Sequence, residues 1–478
     1  MTQLVLVLDA TIVNVALPKA QIELGMTDTE RQWVVTAYVL AFGSLLLLGG
    51  RLADFWGRKR SFLIGMIGFG AASIWGGLSQ TSIELISARG IQGAFAALLA
   101  PAALSMLTVL FTSGKERARA FGIFGIAAGS AATIGLALGG ALTEFVGWRW
   151  CLLVNIVFAV LGVLGAVLFM RESKANDHHG QDLWGAIVVT LGFASLVYGL
   201  TLAQSGWASV GTIAFLVLGA ILIAVFFVIE SKTRYPLLPL RVLRNRTRAG
   251  AFIVQAVVGA VYIGATMFQA FHLQAVLGFS PLLAGVASLP MAITTMALAP
   301  LATRLFERFG ARYVMAAGLL IAAVGMFYLT QLTVGGSYWV QVFPGLLLIG
   351  IGLAFVVVPV QNVGLADVPW SDAGAASAVM GSSMQLGGSI ALAVFTTLFV
   401  EIGGGYASGS VAGYAAVYLA AGIVLVVGAI VSAVLVRRAP DAGNGEWSGE
   451  NSGEWSHETA SDWSQSSSST EASASSEW

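Results

Sequence analysis

Gly49-Gly50-Arg51-Leu52-Ala53-Asp54-Phe55-Trp56-Gly57-Arg58-Lys59-Arg60 places four bases and one acid between two apolar runs, Trp33 to Leu48 and Ser61 to Leu78. Charge confined to a short stretch between runs long enough to bridge a bilayer reads as a polar turn joining two membrane helices. The pattern returns in weaker form as Leu305-Phe306-Glu307-Arg308-Phe309-Gly310-Ala311-Arg312, again between apolar runs. Leu, an acid, an aromatic, Gly and a base keep their order, which predicts a duplicated unit.

Composition widens that reading to the whole chain. Soluble domains carry about a quarter charged residues, whereas this one has 10% charged and 57% hydrophobic residues and a mean hydropathy of +0.84. The chain is expected to be an all-α polytopic membrane protein, with no removable signal peptide. Its single cysteine, Cys151, excludes an internal disulfide. The formal net charge of zero is misleading, because eight of the 24 acids and none of the bases lie beyond residue 438. That tail, 439–478, is rich in Ser, Gly and acids and repeats Glu446-Trp447-Ser448, Glu454-Trp455-Ser456 and Asp462-Trp463-Ser464. It is expected to be a disordered cytoplasmic segment.

At about 20 apolar residues per span, fourteen spans are expected. The first is short if it stops at Pro18. The 24 Lys and Arg check the count. With the turn at Arg51 to Arg60 cytoplasmic, alternate loops collect twenty of them, including Lys115, Arg117, Arg119, Arg171, Lys174, Arg234, Arg437 and Arg438. The other side holds Lys19, Arg31 and Arg149. This places both termini in the cytoplasm of a cell-membrane protein and demands an even number of spans. The echoing turns follow the second and tenth spans, so two spans must be set aside for the halves to match. The expected division is a six-helix bundle at 1–170, two extra helices with linkers at 171–248, a second six-helix bundle at 249–438, and the tail.

An ionisable side chain within a span costs about 2.5–3.5 kcal/mol and needs a reason. Asp9 and Arg89 qualify, and both lie roughly 10–13 Å below the outer surface by helical rise, a matching depth that permits pairing. The alternatives are a functional pair and a static structural one. Arg89 shares a helix face with Gln92, and Gln255, Tyr262, Thr266 and Gln269 fall on one face of the ninth span at α-helical spacing. Such stripes line a water-filled path or glue helices together. Small residues in the fifth span, Gly125 to Gly129 and Gly135 to Gly140, point to close packing. No metal-ligand cluster, nucleotide loop or nucleophile–base pair stands out, so neither an enzyme nor a nucleic-acid binder is expected.

Several stretches together resemble the major facilitator superfamily, in its fourteen-helix drug:proton antiporter branch. Leu8-Asp9-Ala10-Thr11-Ile12-Val13-Asn14-Val15-Ala16-Leu17-Pro18 is similar to that branch's first-helix signature, and Gly50 to Arg60 to the superfamily's motif A. Ser87 to Gly93 resembles motif B, Trp148-Arg149-Trp150 the turn before helix six, and Pro236 to Leu240 the segment after helix eight. The resemblance implies two six-helix bundles rocking about a central cavity, with Asp9 and Arg89 in proton coupling. It also implies a conformational latch at Asp54 and Arg58, echoed at Glu307 and Arg312. The antiporter motif of helix five normally reads Gly-Pro where this chain has Gly135-Leu136, so the kink is not expected. Some relatives in that branch that handle divalent cations carry an acid in helix ten, and Pro281 to Thr303 has none.

The expected function is proton-coupled export of lipophilic, drug- or antibiotic-like small molecules by alternating access. Gln92, Gln255, Tyr262, Thr266 and Gln269 are the candidate cavity residues. The expected partners are the substrate, protons and the lipid bilayer, with no cofactor, no metal and a monomeric chain. Two alternatives remain: a transporter of the same fold for an endogenous metabolite, lipid or nutrient, and a transporter-like sensor.

Overall fold

A computed structural model of the chain describes residues 2–110, 131, 134–170, 172, 182–203, 206–233, 236, 238, 240–366, 368, 373–403 and 411–436. The side chains of Arg51 and Asp54, the basic residues Lys115, Arg117, Arg119, Arg171, Lys174, Arg234, Arg437 and Arg438, the glycines Gly125 to Gly129 and the tail lie outside that description.

Everything described is helix or short connection. In order the helices are α1 Thr2–Leu24, α2 Asp28–Trp56, α3 Arg58–Leu78 and α4 Ser82–Leu110, then α5, described over Ile134–Phe145, and α6 Trp150–Phe169. They continue as α7 Leu183–Leu202, α8 Val210–Lys232, α9 Arg246–Val276, α10 Pro281–Phe309, α11 Ala311–Tyr328, α12 Phe343–Leu365, α13 Ala373–Gly403 and α14 Val411–Leu435. Among the described residues, 12 helices are long and apolar enough to cross a membrane. The two outside that set are α2, a continuous helix of 29 residues, and the partly described α5.

Two details differ from the sequence reading. The first span does not stop at Pro18: α1 runs through it to Leu24, so the apolar segment reaches 21 residues, Leu4–Leu24. The polar turn at Gly49 to Arg60 is almost wholly helical, because α2 ends at Trp56 and α3 begins at Arg58. Gly57 alone breaks the chain, at φ 105°, a conformation that costs a residue with a Cβ dearly. Its echo behaves alike, since Gly310, at φ 81°, is the one residue between α10 and α11.

Packing repeats the same echo. In the first half α4 lies against both α2 and α3, and α3 against α6; in the second, α12 lies against α10 and α11, and α11 against α14. The halves meet where α2 packs on α13, with Ser382 Oγ donating to the Gly43 carbonyl at 2.6 Å. They meet again where α1 touches α9 and α10. Gly140 of α5 faces Pro281 and Leu282 of α10 so closely that an added Cβ would sit 2.6 Å from the Pro281 carbonyl oxygen. The small residues of α5 therefore serve helix approach. α7 and α8 pack chiefly on each other, with α7 against α2 and α13. Only 17% of the apolar stretch of α8 is buried against 72% in α9, which makes α8 peripheral and α9 central.

Candidate functional site

Asp9 and Arg89 meet. Arg89 Nη1 lies 2.6 Å from Asp9 Oδ2, and both side chains are buried. Depth alone allowed this contact, and the close approach of α2 and α4 completes it by stacking the Tyr38 ring on the guanidinium, whose carbon is 4.2 Å from the ring centroid. Gly93, one turn from Arg89, lets α4 press on the Tyr38 backbone. Arg89 Nε donates to the Val34 carbonyl at 3.3 Å.

Around the ion pair the bonding is dense. Arg89 Nη1 also donates to Gln92 Oε1 at 2.6 Å, and Gln92 Nε2 donates to Asp9 Oδ1 at 2.9 Å and to Ser73 Oγ at 2.8 Å. Asn155 Nδ2 donates to Asp9 Oδ1 at 2.6 Å. The carboxylate is thus held by α4 and α6, with α3 joined through Ser73. A buried charge is tolerated only when paired and hydrogen-bonded, and here both conditions hold.

Gln92 was legible in the sequence from its spacing to Arg89, and it lies in the cluster. Ser73, Tyr38 and Asn155 were missed. Asn155 had a signal, as the one amide in the apolar run from Cys151 to Phe169; Ser73 and Tyr38 had none, because neither type is unusual in a membrane helix.

The α9 residues lie elsewhere. Gln269 Nε2 donates to Ser288 Oγ of α10 at 3.1 Å, and Thr266 Oγ1 donates back to the Tyr262 carbonyl at 2.5 Å. Tyr262 is half-buried, and Gln255 is buried with no hydrogen-bond partner for its Oε1 among the described residues. The α-helical spacing is interrupted between Gln255 and Thr266, since Ala260–Ala265 is π-helical. A π turn holds more residues than an α turn, so the stripe does not continue straight down one face.

At the motif A turn, Arg58 starts α3, and the α6 end reaches over it through Glu172, whose carboxylate accepts from the backbone of Lys59 and Arg60 at 3.1 and 3.2 Å. In the echo, Glu307 is exposed and Arg312 half-buried beside Tyr313, its guanidinium carbon 5.6 Å from that ring. Trp148 and Arg149 both donate to the Glu23 carboxylate, the former at 2.7 Å, which ties the start of α6 to the end of α1.

Comparison with known proteins bears on what such a chain does. A family model described as Major Facilitator Superfamily matches residues 1–392. A puromycin resistance protein of Streptomyces alboniger is 42% identical over 399 residues, covering 83% of this chain and 79% of that protein. A cephamycin export protein of Amycolatopsis lactamdurans is 35% identical over 397 residues, 82% of each chain. Among solved structures, a peptide transporter POT in complex with sulfate superposes with a TM-score of 0.66 over 90% of this chain and 92% of that one. At 17% identity, that likeness is one of fold.

Proposed function

This chain belongs to the Major Facilitator Superfamily, as a multi-pass membrane transporter and not an enzyme, and from that premise we propose that it exports lipophilic, antibiotic-like small molecules in exchange for protons. The observation that carries the proposal is the buried Asp9–Arg89 pair with its Gln92 and Asn155 partners. Relatives named for resistance to or export of puromycin, cephamycin, tetracenomycin C and lincomycin support the substrate class. The lack of an acid between Pro281 and Thr303 favours neutral or singly charged substrates.

In the proposed cycle a proton entering from outside neutralises Asp9 and weakens its hold on Arg89. Return of the guanidinium to the carboxylate expels the proton on the inner side. One proton moving inward down 100 mV supplies about 2.3 kcal/mol, against about 1.4 kcal/mol for a tenfold gradient of a neutral solute, so one acid suffices. The two bundles, 1–170 and 249–438, would rock about a cavity lined by Gln92, Gln255, Tyr262, Thr266 and Gln269. The extra pair would lie between them in sequence and both termini in the cytoplasm. Asp54, Arg58, Glu307 and Arg312 would latch one conformation.

Inverted membrane vesicles loaded through a proton gradient test this, with puromycin as the first probe. Accumulation is expected to collapse with an uncoupler and to be absent in Asp9→Asn. Undiminished, uncoupler-sensitive accumulation by that variant would sink the coupling role. Removal of residues 441–478 is expected to leave the flux intact, whereas a sensor signalling through its tail would lose its output.

A further inference from the structure

The bonding around Asp9 suits a carboxylate, because Arg89, Gln92 and Asn155 all donate to it. A proton on Asp9 turns one oxygen into a donor, which then needs an acceptor. Arg89 has no acceptor atom. Gln92 is held at both ends, its Oε1 taken by Arg89 and its Nε2 shared between Asp9 and Ser73. Asn155 is held at one end only: Nδ2 is 2.6 Å from Asp9 Oδ1, while Oδ1 is buried without a hydrogen-bond partner among the described residues. The nitrogen and oxygen of a carboxamide are nearly the same size, so a half-turn about the Cβ–Cγ bond exchanges them in place.

We infer that Asn155 is a positioning residue that follows the protonation of Asp9, its carboxamide donating to the carboxylate and turning over to accept from the carboxylic acid. The inference rests on the coupling role proposed for Asp9. No covalent bond changes except the O–H formed by the incoming proton. One hydrogen bond, Nδ2–H to Oδ1, is exchanged for another, O–H to the Asn155 oxygen. In the orientation observed, the far end of the amide meets no hydrogen-bond partner among the described residues, so the contact with Asp9 is the one that holds it. The buried acid therefore keeps a partner in both states, and α6 is told which state it is in.

Few other groups compete for this control. Facing Asp9 are Arg89 from α4, Tyr38 from α2 and Cys151 from α6. On α9, His272 packs on the Tyr414 ring of α14 at 5.3 Å, and α10 has no Asp, Glu, Lys or Arg from Pro281 to Thr303. The described part of α5 offers Glu144, which accepts from the Leu282 backbone at 3.0 Å.

Infrared difference spectra of the purified full-length protein between alkaline and acid pH, with asparagine labelled at its side-chain carbonyl, test this directly. The carboxyl band of protonated Asp9, identified by its loss in Asp9→Asn, is expected to rise together with a shift of one asparagine carbonyl band. That shift should vanish in Asn155→Leu while the carboxyl band remains. If the leucine variant fails to fold, Asn155→Thr removes the same amide and keeps a hydroxyl that can donate and accept. Uncoupler-sensitive efflux by Asn155→Leu is expected to fall about tenfold or more, the scale of a hydrogen bond lost from a buried charge. A carboxyl band that rises with no labelled amide shift overturns the inference even if Asp9 carries the coupling proton. Intact coupled efflux by Asp9→Asn overturns the coupling role instead, whatever the spectra show.

Discussion

Lys59 and Glu172 hold each other's helices from opposite ends. The Glu172 carboxylate accepts from the Lys59 backbone amide at 3.1 Å, in the first turn of α3, while Lys59 Nζ donates to the Met170 carbonyl at 2.7 Å, where α6 ends. Negative charge at a helix start and positive charge at a helix end each satisfy orphan backbone groups and oppose the helix dipole. The basic turn between α2 and α3 is thus also a clip between α3 and α6.

Glu172→Ala removes the anion from the α3 start and leaves two amides to water. A loss of about 0.5–2 kcal/mol is expected, in the range of an N-cap deletion. Thermal unfolding in detergent should show a midpoint lowered by a few degrees, and an unchanged midpoint would refute the clip.

Arg89→Lys keeps the charge and loses the fork. The guanidinium bonds Asp9, Gln92 and the Val34 carbonyl at once and has its carbon 4.2 Å from the Tyr38 ring centroid, a geometry that a compact ammonium cannot reproduce. Coupled efflux in vesicles is expected to fall at least about tenfold, the cost of one lost charge-assisted hydrogen bond. Lysine working as well as arginine would mean that charge alone matters.

Arg31 joins four helices near their ends, α1, α2, α9 and α13. It bonds Asp28 Oδ1 at 2.8 Å and Gln21 Oε1 at 3.2 Å, and its guanidinium carbon lies 4.4 Å from the Phe271 ring centroid of α9 and 5.9 Å from that of Phe399 of α13. A desolvated cation–π contact is worth about 2 kcal/mol, so Arg31→Leu should loosen the contact between the halves there. A cysteine placed at Phe271 in a background lacking Cys151 is expected to react several-fold faster with an impermeant maleimide when Arg31 is leucine. Equal rates would place the closing contact elsewhere.

Glu30 supplies a pH dependence outside the apolar run. The Ser82 hydroxyl, donating at 2.5 Å, and then the Thr27 backbone amide at 2.9 Å hold its carboxylate below the usual range. Its ionisation is therefore easier in the folded chain than in the unfolded one. The stability it contributes is present above the ordinary glutamate value of about 4.3 and is lost as pH falls through the lower folded value. Melting of the wild type should decline across that acidic window, and Glu30→Gln should flatten this part of the decline.

Much of the molecule was legible from one dimension, because a bilayer turns composition into geometry. A run of about 20 apolar residues must span and a cluster of bases must stay on one side, so the helices and the echo of Gly57 in Gly310 followed from the sequence alone. So did the candidacy of Asp9 and Arg89, since two buried charges at one depth in apolar helices need each other. The direction in which each helix turns its faces was decided only in three dimensions. That rotation brings Asn155, Ser73 and Tyr38 to the ion pair, although they lie on three different helices and no spacing relates them. It also breaks the α9 stripe, because the π turn at Ala260–Ala265 shifts the register that a regular α-helix would have kept. Periodicity reports where a residue sits on its own helix; which neighbour it meets depends on how the helices pack, and that is settled by small residues such as Gly93 and Gly140 where backbones approach.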